Sequence, residues 1–317
     1  MGNDSAMSRS IGSVARALVG AVRLVVQPVL GTIAAAAAAL LGLYVTAVCT
    51  TGGQLVEDAA VMGSDAAHGD PEWAQTLLAT LANDRAIVVA VAAPLVLGWL
   101  QRRLLVGVVI AVTVLAANLT TQILKAFVFV RPELVVNPEV GTGNSLPSGT
   151  VTFLLATALG VAAMLPVSRA WRPVVVGLPI LAIAGGCATI ALDWHRPADV
   201  LAGVLVVVAW FAIAQSALDR LSGTSRVRLS MGVRVAVAGA VVLLPLAVIG
   251  VVPGVAQAVA AQSIAVYVVS LLAVAAVSLL CVVDSLPRTS VDRSGQDRSR
   301  PVSCDAAAHH RVPVAVH

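Results

Sequence analysis

A chain of 317 residues with 59% hydrophobic and only 11% charged positions lies far from soluble domains, where about a quarter of residues are charged. Together with a mean hydropathy of +0.95, this composition reads as a polytopic membrane protein. The net charge of +4 does not point to nucleic acid, because the arginines sit in short connections and tails and no basic stripe with interleaved aromatics occurs.

Residues 1–26 form a polar head carrying Arg9, Arg16 and Arg23. Apolar runs follow at about 28–49, 86–100, 104–128, 149–167, 173–192, 198–217, 233–253 and 262–283. Each approaches the roughly 20 residues a bilayer requires, the second being short. The first run exceeds the apolar core of about 7–15 residues found in cleaved signal peptides, which predicts a retained helix. Between the first two runs, residues 50–85 carry Glu57, Asp58, Asp65, Asp70, Glu72 and Asp84 against one Arg85. Asp70-Pro71-Glu72 reads as a helix start with an apolar face from Trp73 to Leu81, lying on the membrane surface. Its acids are expected to be solvated, and His68 is expected in a loop. The runs at 233–253 and 262–283 carry almost no polar residue and read as an appended scaffolding hairpin. The tail from 284 to 317 mixes Arg, Asp, Ser and Pro and reads as disordered. Cys49, Cys187, Cys281 and Cys304 form no C-x-x-C pair and no His/Cys cluster, so neither a disulfide framework nor a zinc site is supported.

The positive-inside rule then orients the chain. With the amino terminus cytoplasmic and the runs alternating, the arginine-rich connections and the tail fall inside, and residues 50–85 fall outside. All but four of the twenty basic residues are then cytoplasmic. The exceptions are Arg85, Lys125, Arg131 and Arg196, and three of these accompany the two most unusual stretches of the chain. Charged groups beside apolar spans are costly and mark a functional site by default.

The first stretch holds Lys125, Arg131-Pro132 and Asn144-Ser-Leu-Pro147-Ser148-Gly149-Thr150. Proline disfavours helix at the preceding residue, so Arg131 leaves the helix and folds back toward Lys125, the only lysine. Ser148 is a natural N-cap of the next helix. Its first-turn N–H groups, beside the small Gly149, favour an anion. The second stretch is Asp193-Trp194-His195-Arg196-Pro197-Ala198-Asp199. Pro197 suits the first position of a helix, with Asp199 one turn in and able to reach the His195 imidazole. A carboxylate there fixes the tautomer and leaves the other nitrogen free as base, ligand or nucleophile. Asp193 and Arg196 are expected to pair with each other. Both stretches fall on the same side of the membrane in this topology.

These residues resemble the type 2 phosphatidic acid phosphatases over about residues 125–205. That pattern is Lys, then Arg-Pro, then Pro-Ser-Gly-His, then Ser-Arg with five residues before His and three more before Asp. Lys125, Arg131-Pro132, Pro147-Ser148-Gly149, His195 and Asp199 fall on it. The resemblance implies His195 as the nucleophile that forms a phosphohistidine and Asp199 as the residue that orients it. It implies Lys125, Arg131, Ser148 and Gly149 around the phosphoryl oxygens, with Thr150 beside them. There are three departures. The spacer between Lys125 and Arg131 holds five residues instead of six. Thr150 replaces the histidine that protonates the leaving oxygen, and Ala188-Thr189 replaces Ser-Arg. Loss of a general acid typically costs about 10²–10⁴ in rate, and a diphosphate, whose leaving group needs less protonation, suffers least.

The expected architecture is therefore an all-α polytopic transmembrane bundle of about eight helices in the cell membrane, with both termini cytoplasmic and the site on the outer face. A lipid-phosphatase-like core of six helices spans 27–217, including the external segment 50–85. A cytoplasmic connection and two additional membrane helices follow at 218–283. The expected activity, where the site turns over, is hydrolysis of a phosphoric monoester or diphosphate on a lipid or isoprenoid. The alternative is an inactive lipid-phosphate binder or transporter on the same scaffold. The expected contacts are membrane lipids and the substrate, with no nucleic acid. No cofactor or metal is needed for this chemistry, and nothing in the chain fixes an oligomeric state.

Overall fold

The computed structural model describes residues 27–68, 71–136, 140, 143–166, 168–222, 229–251 and 254–282. The predicted polar head and disordered tail lie outside these residues. The described residues form helices and connections with no strand. In chain order the helices are α1 (Gln27–Val48), α2 (Thr51–His68), α3 (Glu72–Leu81), α4 (Asp84–Leu100), α5 (Leu104–Val128) and α6 (Gly149–Met164). They continue with α7 (Arg172–Ala191), α8 (Pro197–Ser222), α9 (Leu229–Val251), α10 (Val255–Ala260) and α11 (Ser263–Val282).

All eight predicted runs are helical. Six of the helices, α1, α5, α7, α8, α9 and α11, are individually long and apolar enough to cross a membrane. The short second run is α4, which passes the same test only together with α3, across a bend of 50°. Asn83 makes that bend: its Oδ1 accepts from the Ala86 N–H at 3.0 Å while its Nδ2 donates to the Ala79 carbonyl at 2.8 Å. As predicted, α3 is amphipathic, burying Ala74 and Leu78 and leaving Trp73 exposed. Helix α6 has 16 residues, about 24 Å at 1.5 Å per residue, so it is shorter than the spans around it.

At the centre stands α8, packed against α5, α6, α7 and α11. Every residue from Arg196 to Val208 is buried, as a helix apolar on all sides requires. Small residues set the close approaches. A Cβ on Gly107 would lie 2.3 Å from the Pro94 carbonyl oxygen, and one on Gly203 would lie 2.9 Å from that of Ser148. The second of these brings α8 against the turn that opens α6.

Three expectations do not hold. Residues 51–68, read as a polar solvated stretch, form α2, which packs against α11, α9 and α7 with Gln54, Glu57, Asp58 and Ser64 buried. Small residues explain how such a sequence enters the bundle. Ala59 and Ala60 are buried, and Gly63 lies so close to Ser263 that a Cβ would sit 2.1 Å from its carbonyl oxygen. His68 closes this helix instead of lying in a loop. The last two membrane helices are also more than an appended hairpin, because α11 packs against α2, α7 and α8 and buries Tyr267 and Ser278.

Candidate functional site

Arg131 follows the end of α5, where the chain leaves the helix as Pro132 dictates. The last turn of α5, Leu124–Val128, is widened to π geometry and carries Lys125. Asn144 stitches the returning loop onto it, its Nδ2 donating to the Phe129 carbonyl at 2.7 Å and the Lys125 carbonyl at 3.1 Å. On the other side the Tyr44 hydroxyl donates to the Val130 carbonyl at 2.8 Å, and its ring packs on Phe129 at 4.6 Å. Gln54 of α2 completes the clamp. Its Nε2 donates to the Val48 and Pro132 carbonyls at 2.7 and 2.6 Å, and its Oε1 accepts from the Leu134 and Val135 N–H groups at 3.2 Å. A buried amide with both ends satisfied holds the backbone that follows Arg131.

The turn before α6 behaves as its sequence predicts. Ser148 is the N-cap, its Oγ accepting from the Val151 N–H at 3.3 Å. The Ser148 carbonyl accepts from Thr152 Oγ1 at 2.8 Å, and Thr152 meets Thr121 of α5 at 3.0 Å. Gly149 lies against Gln122, and a Cβ there would stand 3.0 Å from its Nε2. Thr150 is partly buried in the first turn.

The turn into α8 is built by Thr189, whose carbonyl accepts from the Trp194 and His195 N–H groups at 3.0 and 3.2 Å. Pro197 opens the helix. One turn in, Asp199 ties the two stretches together. Its carbonyl accepts from the Ser148 N–H at 2.8 Å. Its Oδ2 accepts from the Arg196 N–H at 2.9 Å and from the Ser145 hydroxyl at 2.5 Å. His195 Nδ1 stands 3.6 Å from the same oxygen, and this buried nitrogen has no hydrogen-bond partner. The pair is aligned but longer than a formed hydrogen bond, as is common before a substrate tightens a site. The Asp199 charge also acts on Lys125 and Arg131. Asp199 thus joins the turn before α6 to the turn before α8, while the Arg131 guanidinium pairs with Asp58.

Three participants were not anticipated. Ser145 completes the Asp199 carboxylate shell; nothing in its local sequence separates it from an ordinary loop serine. The other two are Glu57 and Asp58, expected to be solvated. Asp58 Oδ1 lies 3.3 Å from Arg196 Nε and 3.6 Å from Arg131 Nη2. Arg196 thus reaches α2 through its guanidinium, a contact the sequence did not suggest. Glu57 Oε2 accepts from the Ala198 N–H in the first turn of α8 at 3.2 Å. Burial, reinforced by the Asp199 charge, pushes the Glu57 carboxyl up to about 8, so it carries its proton at neutral pH. Burial and then the neighbouring Arg196 lower the Arg131 guanidinium, while the Glu57, Asp199 and Asp58 carboxyls oppose them. The only signal for the acidic pair was the presence of two adjacent acids in a stretch otherwise rich in Ala, Gly and Val.

Residues 104–221 match the family model of the PAP2 superfamily. No curated protein and no solved structure matches the chain. The matched segment runs from α5 to the end of α8 and contains Lys125, Arg131, Ser148, Gly149, Thr150, His195 and Asp199. Helix α2, with its acidic pair, lies outside it.

Proposed function

We propose that this membrane phosphatase-like protein, on the premise of its PAP2 superfamily segment, hydrolyses a lipid phosphate or isoprenoid diphosphate through His195. The observation that carries the reading is the convergence on Asp199. One residue receives the backbone of the Ser148 turn, accepts from Ser145 and faces the His195 imidazole.

In this reading Asp199 holds the proton on Nδ1 of His195, leaving Nε2 with its lone pair. Nε2 attacks phosphorus, the N–P bond forms and the bond to the leaving oxygen breaks. Lys125, Arg131 and the first-turn N–H groups of α6 carry the charge on the phosphoryl oxygens. Water then attacks phosphorus, the N–P bond breaks, and inorganic phosphate and a proton leave. The leaving group of a diphosphate is the lipid monophosphate anion, which needs no donor, whereas that of a monoester is an alkoxide, which does. With Thr150 where a donor would stand, diphosphates are the favoured class. The site opens to the outer face, with both termini cytoplasmic.

Phosphate release from lipid monophosphates and diphosphates by the purified protein tests this. Release is expected on diphosphates, lowered by on the order of 10⁴ or more by His195→Ala, as when other covalent nucleophiles are removed. Activity that survives this substitution would sink the mechanism. The second reading, a binder without turnover, is favoured by Asp58 already facing the Arg131 guanidinium. Phosphate binding without release, lost in Arg131→Ala, would select it.

A further inference from the structure

We infer that Arg196 is a second phosphoryl-binding guanidinium, and that Asp58 is an internal anion holding its place until the ligand arrives. This deepens the phosphate-handling reading and rests on it.

Three features carry the inference. Arg131 comes from the loop after α5 and Arg196 from the turn before α8, yet both guanidinia converge on the same oxygen, Asp58 Oδ1, at 3.6 and 3.3 Å. The side chains of Arg131, Asp58 and Arg196 are 6%, 9% and 8% exposed. Such desolvation is costly unless a shared anion offsets it. Two guanidinia drawn to one anionic oxygen form a cationic pair suited to a phosphoryl group, which arginine holds through its planar fork. Second, both arginines line one small pocket with Asp58 and Gln54, which an anion displacing the carboxylate would have to widen. Third, Arg196 is chained to the reacting turn. It follows His195 directly, and its N–H donates to the Asp199 carboxylate.

The position where the resemblance puts a second phosphate-binding arginine is Thr189. That residue is fully buried and spends its hydroxyl on the Gly186 carbonyl of its own helix at 2.7 Å. Arg196 supplies the missing charge from the far side of the same turn. Asp58 presents its carboxyl oxygen to both guanidinia, so it competes with the ligand for both arginines.

Isothermal titration of inorganic phosphate into the purified full-length chain in detergent tests the inference without requiring turnover. Asp58→Asn, which keeps the shape and removes the charge, is expected to tighten phosphate binding about tenfold. Arg196→Lys keeps the charge that Asp58 needs but loses the fork, and is expected to weaken binding about fivefold or more. Unchanged affinity in Arg196→Lys would show a structural counter-ion and overturn the proposal. Weaker binding in Asp58→Asn would also overturn it, by making the carboxylate a positioner instead of a competitor. If Asp58→Asn does not purify as a folded monodisperse species, the lysine variant decides alone. Phosphate release that depends on His195 while phosphate affinity ignores Arg196 would defeat this inference and leave the hydrolytic reading intact. Arginine-dependent phosphate binding without release would do the reverse.

Discussion

The segment from α5 to α8 and the helix α2 meet at one cluster, yet they were unequally visible before the structure. The first carries its chemistry at helix ends, where local rules operate: Pro132 ends a helix, Ser148 caps one and Pro197 opens one. The second carries Glu57 and Asp58 in mid-helix, and the bond from Asp58 to Arg196 spans 138 positions of the chain. Helix ends announce themselves through their neighbours in sequence, whereas a buried carboxylate is explained only by a distant cation. The family match follows the same division, covering α5 through α8 and leaving α2 out. A site can therefore be recognised from one region while its charge balance is set by another.

That contrast can be tested from both sides. The largest effect is expected within the matched segment. Thr150→His places a titrating donor at the leaving-group position and should raise turnover on monoesters by about 10², with less change on diphosphates. An increase confined to monoesters would locate the deficit in the missing donor. No increase, with diphosphate release intact, would place the limit with the α2 acids instead.

Gln54→Ala should follow in size. It strips four hydrogen bonds from a buried amide and strands the Pro132 carbonyl and the Leu134 and Val135 N–H groups. At about 1–3 kcal/mol for leaving a buried polar group unpaired, the apparent melting temperature in detergent should fall by several degrees. The KM should rise, because Arg131 rides on this backbone. A lower melting temperature with unchanged KM would mean that α2 braces the fold without shaping the site.

The smallest effect concerns Glu57. Its carboxyl is raised from an ordinary 4.5 to about 8, so the folded state favours the protonated form. That contribution is complete below about pH 4.5 and is lost as pH rises through about 8. Apparent melting temperature should therefore decline across this window in the wild type. Glu57→Gln keeps an acceptor for the Ala198 N–H without a titrating group and should flatten the profile. An identical slope in both proteins would assign the decline to another residue.

Much of the bundle was legible because apolar runs long enough to cross a bilayer are hard to disguise, and all eight predicted runs are helices. What was misread had a physical cause. Residues 51–68 were taken as solvated because acids dominate their charge, while the Gly and Ala content that permits close packing carries no hydropathy signal. In the candidate site, the i, i+4 spacing across a helix start brings His195 Nδ1 to 3.6 Å from Asp199 without forming the expected hydrogen bond. The contact of Arg196 with Asp58 was not visible because the two lie 138 positions apart. Ser145 was missed because its partner, Asp199, is 54 positions away.

The bond from the Ser148 amide to the Asp199 carbonyl joins main chain to main chain. No side-chain substitution removes that donor unless it introduces proline, so the two stretches stay in register whatever chemistry their side chains perform. A lineage, or an engineer, can therefore rewrite side chains of the first turn of α6, such as Thr150, without first rebuilding the frame that aligns the two stretches.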